Sequence, residues 1–361
     1  MAVLTACSAV PGAPGQSASG TDADVQRAYD TFVKANMPNV TLDVLKAAKA
    51  EGKLTYYHGQ TGSDAAMLDL FGKTFPFITV DGVALSGGNL VQRFMTEYQA
   101  GQYLADVVFF TSMPAAEQAQ QQGFVMPYKI GPADQIPASH QVPGYAYGVY
   151  SSVMATAWNA DKIDDREAAA AFQTWQGLFD PRWQGKKFTL NSDYSGGTLQ
   201  VLYVLQYRLF GTRLWERLAQ NVTLYAGSVA MANAIASGEV DIAAGGSSES
   251  WAQLYEKGAP VHWAYTQPIA AVPVVQFIAA HAPHPNAAKV LQEFIYTVPA
   301  QNTYVAQGAF SDIPGTTDNR KVRSEPWFSP PDPGKLWSYT TADINATFPE
   351  ASAAFRSIFK V

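Results

Sequence analysis

The stretch Asn191-Ser-Asp-Tyr-Ser-Gly-Gly-Thr-Leu-Gln200 has the pattern of a turn that holds a ligand. Residues 185–190 before it alternate in polarity as a short strand does, and residues 199–210 after it form an apolar run long enough for a helix. The two glycines in the turn allow the backbone to approach a ligand closely, because they carry no side chain. We therefore predict a strand, a ligand-binding turn and a helix, in that order.

The same turn offers hydrogen-bond donors that suit an anion. The first amides of the following helix lack partners within the helix, and the helix dipole is positive at that end. A small anion is the ligand that such a helix start favours. The alternative is a capped connection between a strand and a helix that binds nothing. The candidate contacts in this turn are Tyr194, Ser195, Gly196, Gly197 and Thr198.

Length and composition exclude several classes of function. The chain has 361 residues, of which 47% are apolar, so it can form two cores of ordinary domain size. The formal net charge is -6, and Lys and Arg are scattered along the chain, whereas a nucleic-acid-binding surface needs clustered positive charge. No stretch approaches the roughly 20 apolar residues that span a bilayer. We therefore expect a two-lobed protein that does not bind nucleic acid.

The only cysteine lies in Leu4-Thr-Ala-Cys7, which resembles a bacterial lipobox, where the cysteine is lipidated after signal cleavage. A single cysteine excludes an internal disulfide and a cysteine-based metal site. Only three residues precede the motif, so we expect that the signal peptide has been trimmed. Residues 8–22 are rich in Ser, Gly, Pro and Ala, as flexible tethers are. We predict a tether over residues 1–24 and lipidation of Cys7; the alternative is an accidental cysteine.

Strands and helices alternate along the rest of the chain, which predicts an α/β fold with a largely parallel sheet. Three predicted strands, residues 53–57, 106–110 and 240–244, are each followed by a polar or Gly-rich turn and a helix. Open α/β sheets bind ligands at the carboxyl ends of their strands. The candidate contacts in these turns are His58, Gln60, Thr61, Thr111, Ser112, Gly246, Ser247 and Ser248.

Two long apolar stretches predict the boundary between two lobes. Residues 145–158 form an aromatic strand with small residues at its middle, which can leave one lobe and enter the other. Residues 270–280 form a strand that returns to the first lobe. We therefore assign residues 25–152 and 268–361 to the first lobe and residues 153–267 to the second. The proline-rich and aromatic segment 312–361 is expected to wrap the first lobe.

The order of these pieces resembles the extracellular solute-binding proteins of bacterial ABC importers, and within them the ferric-ion-type group. The resemblance covers residues 53–309. It is carried by Tyr57-His-Gly-Gln60, Arg93 with Ala105-Asp-Val107, Phe179-Asp-Pro-Arg-Trp-Gln-Gly-Lys186, Ser195-Gly-Gly197 and Ala236-Ser-Gly-Glu-Val-Asp-Ile-Ala243.

The resemblance implies a two-lobed α/β fold of the periplasmic-binding-protein type. In this fold, mixed and mostly parallel sheets are flanked by helices, and a hinge of strands lets the lobes close on a ligand. It implies a monomer without a cofactor that delivers its solute to a membrane permease. It also implies a place in the periplasm or at the outer face of the cytoplasmic membrane, which agrees with the lipobox.

The resemblance raises the question of a ferric ion, which iron-carrying members hold with a histidine, a glutamate and two adjacent tyrosines. Thr61 takes the position of that histidine, with His58 displaced from it, and Thr111 takes that of the glutamate. Residues 245–249 contain no tyrosine. A ferric ion prefers anionic oxygen ligands, for which Ser and Thr hydroxyls are weak substitutes. We therefore expect that this chain binds an anion without a metal, and keep a ferric-iron-binding protein as the alternative.

The expected solute is a small organic anion such as a phosphonate, a phosphate ester or a carboxylate. His58 is a candidate contact, and its alternative role is a structural hydrogen bond. Tyr147, Tyr150 and Trp263 are candidates for contact with the organic part of the solute, although each is individually more typical of a core.

An enzyme is the least favoured alternative, because the sequence has none of the common catalytic motifs for nucleophilic, zinc or nucleotide chemistry. We predict no catalytic residue. A sensor that reports ligand occupancy to a membrane receptor is a further alternative, and a neighbouring permease gene would favour transport over sensing.

Overall fold

The computed structural model describes residues 20–59, 64–85, 87–192 and 198–361. Its strands are β1 (Lys53–Gly59), β2 (Thr79–Leu85), β3 (Val107–Phe110), β4 (Gln141–Val142), β5 (Ala146–Asn159), β6 (Phe188–Asn191), β7 (Val222–Tyr225), β8 (Ile242–Ser247), β9 (Val261–Ala264) and β10 (Ala271–Ile278).

The helices lie before, between and after these strands. They are α1 (Asp22–Ala28), α2 (Lys34–Asn36), α3 (Leu42–Glu51), α4 (Asp64–Thr74), α5 (Gly87–Gln99), α6 (Met113–Gln121), α7 (Asp165–Ala171), α8 (Thr198–Phe210), α9 (Arg213–Leu218), α10 (Ser228–Ala236), α11 (Ser248–Glu256), α12 (Pro285–Phe294), α13 (Val298–Val305) and α14 (Thr341–Phe359). No helix in the described ranges is both long and apolar enough to cross a bilayer.

Local side-chain chemistry sets the helix ends. The side chain of Thr41 accepts a hydrogen bond of 3.3 Å from the N–H of Val44 at the start of α3. Gly52 ends that helix with a φ of 70°, which glycine adopts without strain. At the start of α14, Thr340 and Asp343 each accept from the other's backbone, which forms a capping box.

The strands form one continuous sheet in the order β2-β1-β3-β10-β5-β8-β6-β7, with β4 and β9 also paired to β5. The pairs β1–β2, β1–β3, β6–β7 and β6–β8 are parallel. The central pairs β3–β10, β10–β5 and β5–β8 are antiparallel. The sheet is therefore mixed, and the predicted α/β fold with two lobes is confirmed. The expectation of a largely parallel sheet is not met, because every pair that involves β5 or β10 is antiparallel.

The long strand β5 belongs to both halves of the molecule. Its first half pairs with β10, and its second half, from Met154 onward, pairs with β8 and β9. Tyr147, Val149 and Tyr150 pack in the core of the first lobe, whereas the residues from Val153 to Trp158 pack in the core of the second. The strand is continuous, so it connects the two lobes directly.

The end of the chain packs differently from the prediction, which placed residues 312–361 on the first lobe. The ring of Trp327 stacks on His262 at 4.1 Å between centroids, and that of Phe355 stacks on Tyr203 at 4.6 Å. Both partners belong to the second lobe, and α14 lies against α8. The prediction is wrong here because the large rings are buried in the second core, a long-range contact that local sequence patterns do not reveal.

Candidate ligand-binding site

The register of the strands brings the ends of both lobes to the middle of β5. The last residue of β3, Phe110, lies opposite Val275 of β10, which in turn lies opposite Gly148 of β5. The last residue of β8, Ser247, lies opposite Met154 of β5. Since β3 and β8 run towards each other along β5, the residues that follow them both lie near the middle of β5, where the two lobes join.

The turn after β3 carries the predicted contacts Thr111 and Ser112. The Oγ of Ser112 caps α6 and accepts from the N–H of Ala115 at 3.4 Å. Both residues line a small cavity of about 30 Å³ together with Gln200 and Val201 in the first turn of α8. Residues of the first lobe and the start of a second-lobe helix therefore face one space.

The predicted contact His58 is held by its own lobe. Its ring stacks on Tyr56 at 5.1 Å between centroids, and its Nδ1 lies 3.3 Å from the carboxylate of Asp64. Asp64 is 1% exposed and accepts a hydrogen bond of 2.8 Å from the hydroxyl of Tyr304. These contacts match the structural role that was the alternative for His58, and a ligand contact for it stays a prediction.

The end of β8 contains a glycine, Gly246, whose place is set by packing. A Cβ on Gly246 would lie 2.5 Å from the ring of Trp251, so a side chain does not fit there. The hydroxyls of Ser247 and Ser248, which follow this glycine, differ in their exposure. Ser248 is fully buried and donates to the carbonyl of Gly308 at 3.3 Å, so its side chain points into the protein. We therefore leave Ser248 out of the proposed site, whereas Ser247 is partly exposed.

Ser247 is the centre of a polar network. Its N–H donates to the Oγ of Ser228 at 3.1 Å, and its hydroxyl donates to the carboxylate of Glu249. The hydroxyl of Ser152, on β5, donates to the same oxygen of Glu249 at 3.2 Å. Glu249 is 6% exposed, and this burial raises the pKa of its carboxyl to about 7. The network therefore connects the turn after β8 to the strand shared by both lobes.

Glu249 and Ser152 were not among the predicted site residues. Ser152 lies within an apolar strand, and 97 positions separate it from Glu249, so no local pattern links them. The one signal was the Ser-Ser-Glu sequence directly after a Gly-rich strand end.

Helix starts contribute further donors beside these turns. The starts of α10 and α11 follow Gly227 and Ser247, and neither residue supplies a side-chain cap to the helix amides. The N–H of Gly227 donates instead to the side chain of Asn191 at the end of β6, at 2.9 Å. Uncapped amides at a helix start favour an anion.

Several predicted contacts lie outside the described residues. These are Cys7, Gln60, Thr61, Tyr194, Ser195, Gly196 and Gly197. Thr198 is the first residue of α8. Within the described ranges, no group of three or more His, Cys, Asp or Glu side chains is arranged to hold a metal ion.

The three aromatic candidates for the organic part of the solute lie in the cores. Tyr147, Tyr150 and Trp263 are exposed by 1%, 4% and 1%. The hydroxyl of Tyr147 accepts from the N–H of Gly144, and its carbonyl accepts from the hydroxyl of Tyr296. They therefore have the core position that the sequence favoured for each of them, since apolar burial outweighs their polar tips.

A family model described as bacterial extracellular solute-binding protein matches residues 60–309. The chain belongs to this family. As a solute-binding protein it is the substrate-binding component of an ABC importer, which delivers a small solute to a permease, and it is not an enzyme. The family is extracellular, which implies a periplasmic location. The comparison with curated proteins gave no significant match.

Solved solute-binding proteins share the fold. Iron-bound HitA from Pseudomonas aeruginosa superposes with a TM-score of 0.67 at 20% identity, covering 85% of this chain and 99% of that one. AfuA from Actinobacillus pleuropneumoniae, with fructose-6-phosphate bound, gives 0.67 at 18% identity, with 86% and 99% covered. Trichodesmium FutA with iron and citrate gives 0.63 at 19% identity, with 85% and 99% covered. These structures confirm the resemblance to the ferric-binding type, and at such identities they establish the fold alone.

Proposed function

We propose that this solute-binding protein captures a small organic anion between its lobes and delivers it to the permease. The anion is a phosphonate, a phosphate ester or a carboxylate. One observation carries the proposal: the start of α6, with Thr111 and Ser112, and the start of α8, with Gln200 and Val201, line the same space from opposite lobes. At about 30 Å³ this space has room for one water molecule, so the lobes must part for an organic anion to enter. A charge placed there would meet the positive ends of two helix dipoles.

The chemistry of the surrounding side chains favours the same solute. Ser112, Ser228 and Ser247 carry hydroxyls at or beside the starts of α6, α10 and α11. The predicted turn at residues 193–197 directly precedes α8. Hydroxyls and backbone amides are neutral donors, so together they favour an anion.

A ferric ion is the competing solute, because HitA and FutA are iron-bound in their structures. The described residues offer no metal-ligand cluster, and the turn after β8 carries serines and one glutamate where iron carriers have tyrosines. A ferric ion needs several anionic oxygens. AfuA, which shares this fold, holds a sugar phosphate, so the fold accommodates an organic anion.

We also propose that Cys7 anchors the protein through a lipid and that residues 1–24 act as its tether. This rests on the lipobox-like sequence and on the Ser, Gly and Pro content of the segment. The protein is proposed to act as a monomer, since each copy carries both halves of its site.

A thermal-shift screen of small anions, with and without ferric iron, tests the solute class. A ligand at about 100 times its Kd adds about 2.7 kcal/mol to the stability of the folded state. That raises the Tm by a few degrees. We expect stabilisation by organic phosphates, phosphonates or carboxylates that does not depend on iron. Strong stabilisation only when iron is present would overturn the proposal in favour of an iron carrier.

A pair of matched variants locates the anion. Ser112→Asp keeps a side-chain cap on α6 but adds a negative charge at the proposed site, so the affinity for the anion should fall at least about 10-fold. Thr41→Asp makes the same change at the cap of α3, outside the site, and should leave the affinity unchanged. Equal affinities of the two variants in calorimetric titrations would remove the start of α6 from the site.

A further inference from the structure

The carboxyl of Glu249 occupies an unusual place for an anion-binding protein, because it lies beside the donors that would hold the solute. It accepts hydrogen bonds from the hydroxyls of Ser247 and Ser152, which come from the site turn and from the strand shared by both lobes. A permanent negative charge at this position would repel the anion of the proposed function. The protein therefore needs a way to bind an anion next to this carboxyl.

Counting hydrogen atoms gives the answer. Each serine hydroxyl has one hydrogen, so while Ser247 donates to the Glu249 carboxylate it has none to give to a solute. When Glu249 is protonated, the carboxyl O–H can donate to the oxygen of Ser247. Ser247 is partly exposed, so its hydrogen is then free to turn towards solvent or a bound solute. Protonation thus removes a repulsive charge and reverses the direction of a hydrogen bond at the same time.

The surroundings of Glu249 make this protonation accessible near neutral pH. Burial raises the pKa of its carboxyl to about 7. The two hydroxyls, the backbone amide of Glu249 and the positive charge of Arg320 lower the pKa, but burial has the larger effect. Arg320 is itself paired with Asp318 at 2.7 Å, so its charge is partly neutralised. Tyr265 is the other titratable side chain at Arg320. A nearby anion would favour the protonated form further.

We infer that Glu249 couples capture of the solute anion to uptake of one proton from water, by turning the Ser247 hydroxyl from a donor to its own carboxylate into a donor to the solute. This rests on the proposed function and names the residue that controls it. Because the proton binds with the solute, affinity falls as the pH rises above the pKa of Glu249. At the hinge strand, Ser152 stays bonded to Glu249 in either protonation state.

The test uses sulfate and oxalate as probes, because their charges are constant between pH 6 and pH 8 and any pH dependence belongs to the protein. Calorimetric titration should give a Kd roughly 10-fold lower at pH 6 than at pH 8, as expected for one coupled group with a pKa of about 7. Titration at pH 7 in buffers of different ionisation enthalpy should show proton uptake on binding.

Two variants separate Glu249 from other acids. Glu249→Gln carries an amide that donates to the hydroxyls at every pH, so its affinity at pH 8 should match that of the natural chain at pH 6. Glu293→Gln is the matched control, because Glu293 is also buried, but it bonds to Asn39, Tyr128 and Gly131 and to none of the site residues. It should keep the roughly 10-fold pH dependence.

The results separate the proton coupling from the proposed function. Binding of either probe with the same Kd at both pH values, or a pH dependence that survives in Glu249→Gln, would overturn the coupling and leave the proposed function intact. Failure of both probes and of the anion screen at both pH values would overturn the proposed function, and the coupling with it.

Discussion

Glu249 and Glu293 are both buried carboxyls whose pKa burial raises, yet the make-up of their hydrogen-bond partners differs. Glu293 accepts from the side-chain amide of Asn39 at 2.9 Å and from the backbone N–H of Gly131 at 3.1 Å. An amide nitrogen can only donate. Glu249 accepts from the hydroxyls of Ser152 and Ser247, which can donate or accept. Glu293 also accepts from the hydroxyl of Tyr128 at 3.0 Å, but its two amide donors fix that carboxyl in one arrangement. Both side-chain partners of Glu249 can turn, so its contacts have two arrangements.

This difference teaches that burial alone does not assign a role to an acidic residue. The amide donors around Glu293 connect α12 to the loop around Gly131 and to Asn39, which lies before α3, and this is a structural role. The rotatable donors around Glu249 lie at the junction of the lobes. When one of these hydroxyls turns, it changes the hydrogen bonds that are offered to a ligand.

The largest effect is expected from removing the fixed carboxyl. Glu293→Ala leaves the donors of Asn39, Tyr128 and Gly131 without their acceptor, at a loss of about 4 kcal/mol of unfolding free energy. Glu249→Ala should lose only about 1 kcal/mol, because its two hydroxyls can rotate to other partners. Denaturant unfolding measures both, and equal losses would remove the distinction between the two carboxyls.

The pH dependence of stability sharpens the comparison. The folded chain keeps the proton on Glu249 up to about pH 7, whereas the unfolded chain releases it near the ordinary carboxyl pKa of 4.5. The folded state then binds more protons between these values, so the unfolding free energy falls as the pH rises through this window. The contribution is about 3 kcal/mol for a pKa difference of this size. Glu249→Gln should lack this fall, and an identical pH profile in the variant would contradict the assignment.

The position of the anion can be tested through the turn that precedes α8. Ser195→Asp places a negative charge among the predicted amide donors, so the affinity for sulfate should drop at least about 100-fold, or about 2.7 kcal/mol. Circular dichroism should show an intact fold. Thr41→Asp serves again as the charge-matched control, and unchanged affinity in Ser195→Asp would remove this turn from the site.

The smallest effect concerns the hydroxyl that turns. Ser247→Ala removes one donor to the solute, so the affinity at pH 6 should fall about 10-fold, or about 1.4 kcal/mol. At pH 8 the loss should be smaller, because the natural hydroxyl then donates to Glu249. Titrations at both pH values measure this, and an equal loss at both would argue against the reversal of the hydrogen bond.

Much of the fold follows from local patterns in the sequence. The strand predicted at residues 53–57 is the larger part of β1, and the aromatic stretch 145–158 corresponds to β5. Such patterns record which face of an element is buried, and that information is contained within a few residues. The division into two lobes could be predicted from this long strand, because it leaves one lobe and enters the other.

The remaining features depend on contacts between distant parts of the chain. The packing of Trp327 on His262 and the bond from Ser152 to Glu249 join residues that no periodicity connects. Within the site, Ser247 was predicted from its place after a Gly-rich strand end. Ser248 was a candidate because of its position after the same strand, and Tyr150 because of its residue type. Both side chains point into the protein. Position along a strand predicts proximity to a site, but not the direction of a side chain.

The packing of α14 on the second lobe has a practical consequence for handling the protein. Thr341 reaches Glu117 of the first lobe at 3.4 Å, while Arg208 of α8 holds Asp343 at 3.1 Å. The last thirty or so residues therefore brace one lobe against the other and cannot be trimmed as a loose tail. A fusion partner belongs after Val361, which is 47% exposed, and fragments that stop before residue 336 should be avoided when a minimal domain is designed for crystallisation.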